Sequence, residues 1–432
     1  MKKMGSRSSV ILLFLSTQLS LLLGASAGTY WGDTAVLKQL KGALDPSSVS
    51  PGSCVASWDF AADPCDALFS DKFTCGFRCD AVDDSGASRL TELALDQAGY
   101  SGPLASVSWD LPYLQTLDLS GNYFAGPIPA SLSNLTRLSR LGLSRNSLSG
   151  WIPDSVSSLS SLEELYLDGN ELEGSIPASL GALSSLTRLE VQSNKLAGEL
   201  PAGALGSLVS LLYLDASDNA ISGEIPRALP PSLVQFTMRN NSLEGELAPE
   251  TLQLASSLQV LDLSHNKLAG PVPSALFTHP SLQQLTLSSN GFDSIQSPTS
   301  PFPQSELIAV DLSDNRIRGL LPAFMAAMPT LSALALENNQ FSGAIPTEYA
   351  QRAAAPAQGA ARLERLMLGG NYLMGPIPAP LLGLGWGGGE EEEVRVSLGG
   401  NCLYRCPARF FFCQGADQRS AAECKSFGPV IP

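Results

Sequence analysis

The sequence predicts an α/β repeat fold: a right-handed solenoid whose short parallel strands line one concave sheet, with a disulfide-containing cap at each end. Three observations predict it. A phrase of the form LxxLxLxxNxLxGxIP recurs in tandem along the chain. Most successive copies of its asparagine lie 24 or 25 residues apart. The eight cysteines fall outside the repeats, four before them and four after. A length of 432 residues would by itself point to two or three globular domains. Periodicity of this kind overrides that prior, because one coil cannot bury its own apolar face and a stack of coils can.

Residues 1–27 read as a secretory leader. Lys2, Lys3 and Arg7 precede an apolar stretch from Val10 to Leu23, and Ala25-Ser26-Ala27 supplies a small-residue cleavage site. Ser16, Thr17, Gln18 and Ser20 interrupt that stretch and no stop-transfer charges follow, which disfavours a membrane anchor. No later segment has the length of a spanning helix, and the tail after Cys424 lacks the apolar stretch of a lipid-anchor signal. The expected product is released outside the cell, with no membrane span in the mature chain.

The net charge is -15, and removing the leader leaves 23 bases against 41 acids, or -18. Such a field repels nucleic acid, anionic membranes and polyanionic sugars such as pectate, and no Lys/Arg run offsets it. The run Glu390 to Glu393, behind Gly387-Gly388-Gly389, reads as a solvated loop. Export and the scarcity of histidine, with only His265 and His279 present, favour disulfides over a zinc site at Cys75-x3-Cys79 or Cys402-x3-Cys406. Each group of four, Cys54, Cys65, Cys75, Cys79 and Cys402, Cys406, Cys413, Cys424, allows three pairings, and the sequence does not choose among them.

The repeats occupy residues 88–401, about thirteen copies. Their asparagine stands at Asn122, Asn146, Asn170, Asn194, Asn219, Asn241, Asn266, Asn290, Asn315, Asn339, Asn371 and Asn401, with Ala98 in the equivalent place of a degenerate first copy. Alternating leucines in LxLxx point inward from a short strand while the intervening residues face solvent. The asparagine lies where the chain leaves the strand, and its amide can serve backbone groups of adjacent turns that otherwise lack partners. In G-x-I-P the glycine admits backbone angles closed to other residues and the proline fixes the next one, which predicts a turn on the outer side.

The phrases LQTLDLSGNYFAGPIP from Leu114 and LEELYLDGNELEGSIP from Leu162 resemble the plant-type leucine-rich-repeat family over roughly Leu90 to Asn401. That family includes receptor-kinase ectodomains, receptor-like proteins and polygalacturonase-inhibiting proteins. The resemblance implies that residues 28–87, with Ser57-Trp58-Asp59 and Asp63-Pro64-Cys65, form an N-terminal cap. In such a cap an amphipathic helix bearing Val36, Leu37, Leu40 and Leu44 covers the first repeat. Residues 402–432 resemble the matching C-terminal cap. Three segments depart from the template: the Ser/Pro-rich stretch Gln296 to Ser305, which replaces G-x-I-P after Asn290, the Ala-rich insertion Gln351 to Ala361, and the Gly-rich acidic connection from Pro380 to Glu393.

No catalytic constellation emerges, and no cofactor is expected. His265 lies near Asp262 and Ser264, but the carboxylate and hydroxyl are expected on opposite sides of the strand, so no nucleophile, base and orienter converge. Binding is the expected role. Acids outnumber bases at the solvent-facing strand positions, and a curved wall focuses such a field towards a cationic partner. Asp118, Asp215, Asp262 and Asp311 belong to a recurrent LDLS or LDAS phrase and carry nothing specific. The sharper patch is Glu163, Glu164, Tyr166 and Asp168, continuing to Arg188, Glu190, Tyr213 and Asp218, where tyrosines among charges resemble an interface hot spot. Asn134 and Asn240 open glycosylation sequons, the first on the outer curve and the second at the edge of the concave sheet. The expected function is a secreted, apoplastic recognition module for a peptide or protein ligand, with a receptor-like kinase ectodomain as a further partner. An inhibitor of a microbial wall-degrading enzyme and a cell-wall scaffold are the rivals.

Overall fold

Alternation in LxLxx dictates three-residue strands with one side chain inward and two outward. In the computed structural model, which describes residues 27–299, 305–356, 359–384, 394–407 and 409–426, thirteen such strands stack in parallel, from Glu92–Ala94 to Arg395–Ser397. The short antiparallel strand Phe77–Arg78 closes the N-terminal edge of this sheet. The central residue of each strand, Leu93 and Leu165 through to Val396, is buried in one continuous apolar core. Residues 1–26 of the leader, the Glu390 to Glu393 run and residues 300–304 of the Ser/Pro-rich stretch lie outside the described residues. Coils are numbered here by their asparagine, coil 1 holding Ala98, coil 2 Asn122 and coil 13 Asn401.

Each asparagine ties its coil to the one before. Asn170 donates from Nδ2 to the carbonyls of Leu143, Leu167 and Asp168 at 2.9, 3.0 and 3.2 Å, and its Oδ1 accepts the Leu148 N–H at 3.0 Å. The same set recurs as far as Asn401, which serves the carbonyls of Leu368, Leu398 and Gly399 and the N–H of Leu373. The residue just before the asparagine is left-handed in every coil from the second onwards. Glycine takes this place at Gly121, Gly169, Gly370 and Gly400, but so do Arg145 (φ 53), Ser193 (φ 57) and His265 (φ 54).

G-x-I-P builds a second, flanking sheet. It has nine strands, from Ser101–Pro103 to Gly291–Ile295, and a separate sheet of four runs from Arg318–Leu320 to Cys402–Tyr404. At Gly174 (φ 76) the residue that follows the glycine of the preceding coil lies over it, so a Cβ there would stand 2.8 Å from Trp151 Cδ1. Glycine is therefore required both for its backbone angle and for the space. The flank breaks between coils 9 and 10, where G-x-I-P is missing after Asn290.

Outer turns are 3-10 or short α-helical segments, such as Ala130–Asn134 and Ala202–Ser207. The step from Asn219 to Asn241 is only 22 residues and includes no helical segment. A cleft of about 450 Å³, lined by Glu224, Arg227, Glu246 and Pro271 among others, opens on the flank beside it, away from the concave sheet. The Ala-rich insertion begins within the helix Thr347–Ala354, whose buried Arg352 donates to the carbonyls of Ala326, Met328, Leu331 and Ala361 at 2.7–2.9 Å.

The caps close the open ends of the stack. Helix Trp31–Ala43 packs Val36, Leu37 and Leu40 into the core. Its buried Asp33 receives Nε and Nη2 of Arg89 at 3.0 and 2.9 Å and the Leu90 N–H at 2.8 Å. The Arg89 guanidinium lies over the rings of Tyr30 and Tyr113, 4.1 and 4.3 Å from their centroids. The cysteines pair as Cys54–Cys75, Cys65–Cys79, Cys402–Cys424 and Cys406–Cys413. At the C-terminal end Gln418 takes the place of a further asparagine: its Oε1 accepts the Leu403 N–H at 3.0 Å and its Nε2 donates to Leu398 O at 3.1 Å.

Candidate functional site

Parallel register places the third and fifth template positions of successive coils side by side on the concave sheet. Arg140, Glu164, Arg188 and Tyr213 form one row, and Gly142, Tyr166, Glu190 and Asp215 the next. Opposite charges therefore meet across strands. Arg140 pairs with Glu164 through Nη1 and lies over the Tyr166 ring at 4.5 Å, while its Nη2 stands 3.9 Å from Asp118. The Tyr166 hydroxyl donates to Glu164 at 3.1 Å. Burial, with the Glu164 carboxylate beside it, raises the Tyr166 phenol above its ordinary range. One coil on, Arg188 pairs with Glu190 at 2.9 Å and lies over the Tyr213 ring at 4.0 Å.

The structure thus gathers Arg140, Glu164 and Tyr166 in one cluster and Arg188, Glu190 and Tyr213 in a second on the neighbouring coils, and Arg140 is not among the residues singled out from the sequence. The signal was present, since Arg140, Glu164 and Arg188 occupy the same template position in consecutive copies. Glu163 is exposed beside the first cluster and makes no ion pair among the described residues. Asp168 and Asp218 sit on the turns off the strand. Asp168 accepts the Ser144 hydroxyl, and Asp218 accepts the Asn240 amide at 2.8 Å. Two of the acids expected to attract a cation, Glu164 and Glu190, are therefore already neutralised.

The recurrent LDLS aspartates have a local task. Asp118, Asp215, Asp262 and Asp311 each accept the backbone N–H of the serine two residues on, at 2.9–3.0 Å, which holds the turn. Ser264 Oγ also donates to Asp262 at 2.6 Å. The expectation that these two face opposite sides fails, because residues two apart on a strand share a face. His265 is exposed on the left-handed turn beyond them. Among the described residues no group of three His, Cys, Asp or Glu side chains is arranged to hold a metal ion.

Further along, the third-position row becomes neutral, with Gln235, Val260, Gln284, Ala309 and Ala333, and ends on exposed Arg365 and Arg395. Asn134 is exposed at the end of an outer helical turn, and Asn240 is exposed on a left-handed turn at the rim of the concave sheet. No helix among the described residues is long and apolar enough to cross a membrane.

The family model for a leucine-rich repeat region matches residues 93–353. No curated protein matches the chain in sequence. Among solved structures, the plant peptide hormone receptor RGFR1 in complex with RGF2 is similar at 29% identity and TM-score 0.64, over 76% of this chain and 51% of that one. The PEPR1-AtPEP1 complex is similar at 26% identity and TM-score 0.60, over 90% of this chain and 58% of that one. This chain thus spans roughly half the length of the receptor chains it matches. A plant ice-binding protein, at 23% identity and TM-score 0.52 over 91% of this chain and 99% of that one, shares the fold.

Proposed function

Because the chain belongs to the leucine-rich-repeat family, we propose that it is a secreted recognition module that binds a peptide or protein ligand on the concave face of coils 3 to 6, together with a receptor-kinase ectodomain. One observation carries this reading: Tyr166 and Tyr213 are each held against an arginine that is itself fixed by a carboxylate. Tyrosine and arginine are the side chains over-represented where interface energy concentrates, and rings immobilised before contact lose little entropy on binding. The likeness to a receptor solved with a peptide hormone supports the same reading at the level of the fold. The four disulfides favour an oxidising, extracellular compartment, with the mature chain beginning after residue 27. A glycan on Asn134 would stay clear of the concave sheet, whereas one on Asn240 would stand at its rim.

The test is affinity capture from plant extracellular fluid with the purified chain, followed by titration of whatever is bound. Tyr166→Ala and Tyr213→Ala are each expected to weaken binding at least tenfold, about 1.4 kcal/mol, without changing the unfolding midpoint. Undiminished affinity in both variants would remove this face from the account. Inhibition of a polygalacturonase by the same preparation, with no captured ligand, would favour the inhibitor reading instead.

A further inference from the structure

Coil 6 departs from its neighbours on the side away from the concave sheet. In coils 3, 4 and 7 the residue that follows the flanking strand's turn begins a helical segment, at Asp154, Ala178 and Pro249. Arg227 holds that place in coil 6, but Pro230 and Pro231 follow it and supply no N–H to a helix, so no helical segment forms. Arg227 is instead exposed in the cleft of about 450 Å³ on the flank. Glu224 and Glu246, which hold one template position in coils 6 and 7, are exposed in the same cleft. Ile225, Leu247 and Pro271 give it an apolar lining, the first two with their side chains buried.

Three charges of both signs thus share one cleft without meeting. Neither Glu224 nor Glu246 has a cationic nitrogen within 4.0 Å among the described residues, and Arg227 has no carboxylate within that distance. The glutamates are nonetheless held in place. A Cβ on Gly245 would stand 3.0 Å from Glu224 Cγ, and one on Gly270 2.8 Å from Glu246 Cγ, so each stem leans across onto the glycine of the next coil. A volume of this size falls among small-molecule clefts, which run from about 300 to 1,000 Å³ and combine an apolar lining with a few fixed polar groups. Carboxylates call for a cation and a guanidinium for an anion, so a molecule that satisfies all three carries both signs. An ammonium brings three N–H donors, enough to serve two carboxylates, and a carboxylate fits the guanidinium fork. A divalent cation fits less well, since a hard metal wants six or more oxygens and would stand in the field of Arg227.

We propose that this cleft is a second binding site, separate from the concave face, for a small zwitterion of the amino-acid class. Glu224 and Glu246 share its ammonium, Arg227 takes its carboxylate, and its side chain rests against Ile225, Leu247 and Pro271.

The experiment titrates the full mature chain calorimetrically with the common amino acids and, for each that binds, with its amide and its N-acetyl derivative. At least one amino acid is expected to bind saturably with Kd below about 1 mM. The amide lacks the carboxylate and the N-acetyl form lacks the ammonium, and each should bind at least tenfold more weakly. Arg227→Gln should weaken the parent amino acid at least tenfold and leave the amide unchanged, whereas the double variant Glu224→Gln, Glu246→Gln should weaken the parent and leave the N-acetyl form unchanged. Melting temperatures should hold in both variants, because the three side chains are exposed and unpaired, and Tyr166→Ala should bind the amino acid as the wild type does. No saturable binding of any amino acid, or a derivative that binds as tightly as its parent, would overturn the proposal and leave the concave-face reading standing. Loss of binding in Tyr166→Ala would move the zwitterion to the concave face and likewise overturn it. Saturable calcium binding that disappears in the double variant would assign the carboxylates to a metal, with the same consequence.

Discussion

Arg352 carries its charge into the core with no carboxylate paired to it among the described residues. Burial pulls its pKa down, yet a guanidinium keeps its proton throughout the working range, so the helix Thr347–Ala354 is fixed by charge-assisted bonds to four carbonyls. Arg352→Ala would leave those carbonyls unpaired, and is expected to cost about 2–4 kcal/mol in urea unfolding. A loss under about 1 kcal/mol would mean that water replaces the side chain without penalty. Sequence reading registered the insertion as an addition of length, because an arginine in an alanine-rich stretch gives no sign of facing inward. The left-handed turns were hidden for a related reason. Gly121 and Gly169 hint at them, but Arg145, Ser193 and His265 in the equivalent places mask a demand that is purely conformational.

Strands and asparagine turns were legible because a period of two, repeated at a fixed interval, leaves a chain little else to form. The caps were legible from their cysteines, though not the pairing. What lay outside the template could not be read. Gln418, sixteen residues beyond the cysteine that follows Asn401, makes the two bonds of a last ladder rung by virtue of its position alone. Gln418→Ala is expected to speed hydrogen exchange at Leu403, whose N–H loses its acceptor, with roughly 1–2 kcal/mol less local protection and no change in coils 3 to 6. Unaltered exchange at Leu403 would show that the cap disulfides alone hold the final coil. The candidate site was legible in part: Tyr166, Arg188 and Tyr213 stood out by type, whereas the neutralising role of Arg140 depends on cross-strand register.

A solenoid distributes its stability among nearest-neighbour interfaces, so the weakest interface sets where it opens. Between coils 9 and 10 the concave sheet is continuous, since Gln284–Thr286 pairs with Ala309–Asp311, but the flanking sheet is broken. Amides of Gly291–Ile295 should therefore exchange faster than those of Lys267–Val272, which are paired on both sides. Equal protection would place the weak interface elsewhere. Coils 3 to 6 lie on the N-terminal side of this break, within the uninterrupted part of both sheets, which suits a face that must meet its ligand already ordered.

The most direct test of the recognition face is a hydrogen-exchange footprint of the chain with its captured ligand. New protection concentrated on Glu164–Tyr166, Arg188–Glu190 and Tyr213–Asp215 is the expected result. Protection confined to the outer helical turns or to the flanking sheet, with those three strands unchanged, would contradict it.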